Sequence, residues 1–164
     1  MKTAIRTIFW GQDLGPQAKM SKPGVITCER RGLWAAGMRR HLPEDIRLRE
    51  TRHLPDCLIE LQTTPQSLVA VELTPANVER VLAFVVEVER RFPLARVIVV
   101  AERGMESHEW LLREAGAMHF TTSPREPETL ARLAVRHAAQ TPLPRTTLMK
   151  QIWDLLPWAE AAVK

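Results

Sequence analysis

The sequence predicts a three-layer α/β domain, with helices wound over both faces of a parallel five-stranded sheet. Three observations carry this. The runs VITC (Val25–Cys28), LVAV (Leu68–Val71) and VIVV (Val97–Val100) are continuous and apolar. Strands without polar alternation are covered on both faces, as parallel strands are. Between them lie segments whose apolar residues recur at helical spacing. The resulting order, strand and helix alternating five times, requires crossover connections, and their common handedness favours a doubly wound sheet. Any site is then expected at the carboxyl ends of the strands.

Each element follows from its residues. Positions 1–23 carry Gly11, Gly15, Pro16 and Pro23 among polar residues. They read as an N-terminal arm, ordered only where Ile8, Phe9 and Trp10 dock. The domain spans 24–140. After the VITC strand, 31–42 places Leu33, Trp34, Met38 and Leu42 at helical spacing and stops at Pro43. Segment 46–52 alternates at Ile46 and Leu48, as an edge strand does. A helix starts at Pro55-Asp56, with Leu58, Ile59 and Leu61 apolar. The 78–90 segment sets Val78, Val81, Leu82, Val85 and Val86 on one stripe, with most charges outside it. Strand pairing there would point charges into the core. From Ala95 to Ala138 the order is buried strand, exposed helix, short strand and amphipathic helix. The 141–164 tail follows a TPLPR break. Its stripe of Leu148, Ile152, Leu155 and Leu156, with Trp153 and Trp158, predicts a helix that packs on its own domain or on a partner.

The composition excludes several classes. A chain of 164 residues with 45% hydrophobic content fits one domain with a real core. It has no apolar run of about 18 residues, so no membrane span is expected. The start, MKTAIRTIFWGQDLG, makes a poor signal peptide. Cys28 and Cys57 are too few for a disulfide scaffold and read as buried free thiols in a reducing cytoplasm. The net charge of +4 is mild and comes mostly from arginine. Arg30-Arg31 and Arg39-Arg40 are the close clusters before Arg90-Arg91, so a nucleic-acid face is not expected.

The segment GAMHFTTSP, with its glycine, aromatic and residue-proline steps, resembles the end of a response-regulator receiver domain. The likeness runs from Gly24 to Ala139 and rests mainly on spacing. It implies a flavodoxin-like (CheY-like) fold and a signalling role. Carried over position by position, the family's chemistry is depleted. The acidic pair after the first strand falls on Glu29 and Arg30. The phospho-accepting aspartate falls on Glu72, the hydroxyl residue on Ala101, and the lysine on Ser123, with Pro124 retained. The switch aromatic falls on Phe120. Mg²⁺ needs oxygen ligands that include carboxylates, and Arg30 brings a cation instead. The reading is a pseudo-receiver without aspartyl phosphorylation, with no catalytic residue, metal or cofactor. Arg30 is expected to replace the metal by pairing with Glu72 or Glu29.

The resemblance implies protein partners of a signalling pathway, met on Trp110, Leu111, Phe120 and the 126–138 helix. Trp110 is equally readable as half-buried core. Trp153 and Trp158 extend the contact surface, and a homodimer through the tail is the runner-up to docking in cis. The competing class is an enzyme or small-ligand domain using an acidic crevice of Glu29, Arg30, Glu72 and Glu102. No Gly-rich loop follows the first strand, because CERRG holds one glycine. The five histidines are dispersed, and the serines lack a nucleophile-elbow context.

Overall fold

The structure is a computed structural model that describes residues 22–123 and 125–141. Most of the expected arm and tail, residues 1–21 and 142–164, lies outside the described residues, as do Pro124, Trp153 and Trp158. The elements run β1 (Val25–Cys28), α1 (Leu33–Arg39), β2 (Leu48–Thr51), α2 (Leu54–Thr63), β3 (Leu68–Leu73), α3 (Val78–Arg91), β4 (Arg96–Ala101), α4 (Glu109–Glu114), β5 (Ala117–Thr121) and α5 (Pro127–Gln140). A single 3-10 turn at Glu106–His108 leads into α4. The sheet is five-stranded and parallel, in the order β2-β1-β3-β4-β5. The predicted fold class is therefore the observed one.

Strand alternation divides the core into two layers. Val25, Leu68, Ala70, Ile98 and Val100 face α1 and α5, where Met38, Leu130 and Ala134 meet them. Ile26, Val69, Val71, Val97 and Val99 face the other way, against Cys57, Leu61, Val81, Phe84, Val85, Val88 and Leu112. Each fully buried Leu, Ile or Val side chain stabilises by roughly 1.5–3 kcal/mol before ordering costs. The strand runs thus look uniformly apolar because both faces are needed.

Single positions depart from the sequence reading. On α3 the buried stripe is Val81, Phe84, Val85 and Val88, while Val86 is 49% exposed. One step of about 100° along a helix carries Val86 off the face that Val85 buries. Leu33 and Ile59 are likewise exposed. The edge position of β2 is as expected: it pairs with β1 alone, and Arg49 and Glu50 are exposed.

Helices α1 and α5 lie close together. A Cβ built on Gly37 would sit 2.8 Å from both Cβ and Cγ of Pro127. Pro127 begins α5, and its ring has no flexible end to swing aside. Alanine is the better helix former by about 1 kcal/mol, yet overpacking costs about 1–3 kcal/mol. Gly37→Ala should therefore destabilise the chain, read as a lower urea midpoint; a higher midpoint would refute the close approach.

His137 ties α5 to the strand ends. Its Nε2 donates to the Gln66 carbonyl at 2.9 Å. Burial lowers its pKa from the ordinary 6.5, against the carbonyl's opposing pull, and nearby Arg96 lowers it further. The unfolded chain then binds the proton more readily than the folded one. Stability from this site is present above pH 6.5 and is lost as pH falls below that value. Urea midpoints measured from pH 7.5 to 5 should fall less in His137→Gln than in the unaltered chain.

Candidate functional site

The carboxyl ends of β1, β2 and β3 enclose a crevice of about 550 Å³. β1 ends at Cys28, and the chain turns at once through Glu29, Arg30, Arg31 and Gly32. Gly32 adopts φ 74°, a left-handed conformation that glycine takes at little cost, and α1 starts there. The turn brings Glu29 beneath the first amides of α1. Its Oε2 accepts from the Trp34 amide at 2.9 Å and its Oε1 from the Ala35 amide at 2.6 Å. Glu29 is only 3% exposed. A buried carboxylate needs donors, and helix-start amides lack intrahelical partners, so each satisfies the other.

Glu72 lies within β3, because that strand continues to Leu73. Its Oε2 accepts from the backbone amide of Arg30 at 2.8 Å. The expected link between these residues therefore exists, but through the main chain. The Arg30 side chain is exposed and forms no ion pair with Glu29 or Glu72. The guanidinium was expected because it carries the charge; the tight turn presents the amide instead. Beside it, Asn77 donates through Nδ2 to the Glu72 carbonyl at 3.0 Å and accepts from the Thr74 amide at 2.8 Å.

Two further arginines line the crevice, which is not the acidic cleft with one arginine that the sequence suggested. Arg52 follows β2 and donates from Nη1 to the Glu29 carbonyl at 2.7 Å. Its Nη2 lies 3.7 Å from Glu50. Arg80, in the first turn of α3, lines the same space, with His53, Leu54 and Ala76. Arg52 could have been found by marking where β2 ends. Arg80 carries no local signal: on α3 it reads as one more solvated charge.

The other expected site positions lie apart. Ala101 is buried at the end of β4, and Glu102 is exposed. Ser123 is half-buried, and its Oγ accepts from the Arg125 amide at 3.3 Å. None of these three lines the crevice. Trp110 is 70% exposed and Leu111 is 40% exposed, adjacent on α4. Phe120, expected on the contact surface, is instead 6% exposed within the core. Strand alternation and the α4 side of the sheet draw its ring inward.

Cys28 lines the crevice and Cys57 lies against Cys28, both free and buried as expected. Thr51 Oγ1 donates to the Thr27 carbonyl at 2.9 Å and sits 2.9 Å from Cys57 Sγ. The Cys28 contact, followed by burial, pushes the Cys57 thiol far up, whereas the same contact lowers Cys28. Cys57 therefore stays protonated. Among the described residues, no cluster of three His, Cys, Asp or Glu side chains is placed to hold a metal ion. No described helix is long and apolar enough to cross a membrane.

Comparison with known proteins gives the fold. A CheY-like protein (tadZ) from Pseudomonas aeruginosa PAO1 superposes with a TM-score of 0.58 at 18% identity, over 70% of this chain and 98% of its own. A response regulator from Thermotoga maritima gives 0.61 at 17% identity, over 72% and 98%. An orphan response regulator of H. pylori gives 0.55 at 19%, over 72% and 98%. No protein-family model and no curated protein matches the sequence. At such identities the likeness is one of architecture: the chain has the CheY-like, flavodoxin-like fold.

The Glu29 contacts have a measurable consequence. Hydrogen bonds to a charged group contribute about 1.5–3 kcal/mol, and loss of a cap costs about 0.5–2 kcal/mol. Glu29→Ala should destabilise by about 2 kcal/mol in urea titrations, and Glu29→Gln, which keeps one acceptor, by less. Unchanged stability in both would show that α1 does not depend on this carboxylate.

Proposed function

We propose that this chain is a receiver-like signalling module that works by protein contact and accepts no phosphoryl group. The observation that carries this reading is the state of Glu29. Both of its oxygens are already taken by α1 amides. In a receiver, the carboxylates after the first strand hold Mg²⁺. Here one is committed to a helix and its neighbour is Arg30, so the residues do not fit that ion. Glu72 stands at the acceptor position with one oxygen held by the Arg30 amide. Ala101 offers no hydroxyl, and Ser123 no charge. Phosphoryl transfer depends on positioned positive charge and metal around the reacting group; neither the metal ligands nor the lysine of that arrangement is supplied. The reading thus assigns no enzymatic activity and a cytoplasmic place among signalling proteins. The CheY-like fold shared with response regulators supports it.

Contact is assigned to the α4 face. Trp110 and Leu111 are adjacent, large, apolar and exposed. Exposed aromatic anchors of this kind carry much of the energy in protein interfaces. The partner is a protein of the same pathway, with a second copy of this chain as the alternative.

The experiment incubates the full chain with acetyl phosphate and Mg²⁺ and weighs it intact. The mass should be unchanged. A stable added phosphoryl group that disappears in Glu72→Ala would falsify the reading. In parallel, Trp110→Glu should leave the melting temperature within about 2 °C, since surface changes fall within about 0.5 kcal/mol, while abolishing partner capture or self-association.

A further inference from the structure

We propose that the crevice at the carboxyl ends of β1, β2 and β3 binds a phosphate-bearing small molecule, held by the guanidinium groups of Arg30, Arg52 and Arg80. Its volume of about 550 Å³ is that of a small-molecule site, typically about 300–1,000 Å³. The three arginines come from three separate elements: the turn after β1, the end of β2 and the first turn of α3. Only the fold brings them to one opening.

Two of the three differ from the arginines that are held by a carboxylate. Arg39, Arg49, Arg91 and Arg113 each face a carboxylate. Arg30 and Arg80 have no carboxylate within ion-pair distance among the described residues, although both line a crevice that contains two glutamates. One of those glutamates is turned away: Glu29 spends both oxygens on α1. The other, Glu72, gives one oxygen to the Arg30 amide. Arg52 is anchored through Nη1 to the Glu29 carbonyl and lies 3.7 Å from Glu50, so part of its fork is already engaged. The lining itself carries three arginines against two glutamates.

The chemistry selects the ligand class. A guanidinium presents a planar fork that matches the oxygens of phosphate in pairs. A lone carboxylate would occupy one fork. A phosphate, with three terminal oxygens and up to two charges, can engage several at once. Glu72 sets the counter-sign: it repels the same anion and should weaken it.

The test is calorimetric titration of the full chain with inorganic pyrophosphate, in EDTA, against potassium chloride at matched ionic strength. Saturable one-to-one binding is expected, weakening as salt rises. Arg30→Gln and Arg80→Gln should each weaken it roughly tenfold. Both side chains are exposed, so both variants should fold, and their melting temperatures check that. Glu72→Gln should tighten binding, and Arg136→Gln, exposed on α5, should leave it unchanged. No heat beyond the chloride control would overturn the proposal. So would binding that survives the Arg30→Gln/Arg80→Gln double variant, or Glu72→Gln weakening it. The proposal does not rest on the signalling reading: pyrophosphate binding and phosphoryl transfer are separate measurements.

Discussion

A carboxylate buried at the end of a central strand must find donors, and much of this crevice follows from where Glu29 finds them. Its two oxygens hold the Trp34 and Ala35 amides, which fixes where α1 begins. Its carbonyl holds Arg52, which ties the end of β2 to the end of β1. The next residue turns its amide to Glu72 and so ties β1 to β3. One short loop thereby connects three strands and a helix. Removing its acid would leave two orphan amides and loosen the loop that presents Arg30.

The same arrangement changes the crevice's electrostatic character. Here the floor acids are turned into structural acceptors, and the open mouth is left to arginine. An arginine cannot shed its proton near neutral pH and holds its charge even when half-enclosed. An anion bound there would keep its partners over a wide pH range. Of the thiol pair, Cys57 is held protonated by its neighbour and by burial.

Much of the fold was legible because the physics that builds it is periodic. Three strand runs, five helical stripes and their order determine a covered parallel sheet, and all three runs proved to be strands. What periodicity does not carry is phase within a stripe, so Val86 was expected on the core face of α3 yet lies exposed. The site was legible by residue type at strand ends and illegible by atom. Sequence spacing places Arg30 beside Glu72, but only the turn geometry decides that the amide makes the bond. Arg52 and Arg80 were missed because convergence of three elements leaves no local pattern. Phe120 was misplaced because its role was carried over from the resemblance, while the alternation of β5 buries its ring.

The two ends of the proposed function are linked by packing alone. From the crevice toward α4, a receiver offers a polar relay: a hydroxyl on the fourth strand and an aromatic on the fifth that changes position. Here Ala101 has only a methyl group, 6% exposed, and Phe120 is held in the core by close-packed neighbours. Ser123, nearer the surface, spends its oxygen on the adjacent loop. Among the described residues, these three positions supply no hydrogen-bonded path from the crevice to Trp110. Coupling would need a second arrangement of a packed element, since packed cores switch between discrete states and do not bend continuously. Without one, the α4 face is presented in the same form whether or not the crevice is filled. An anion held by the three arginines would fasten α3 to the loops after β1 and β2 and so stabilise that end of the sheet.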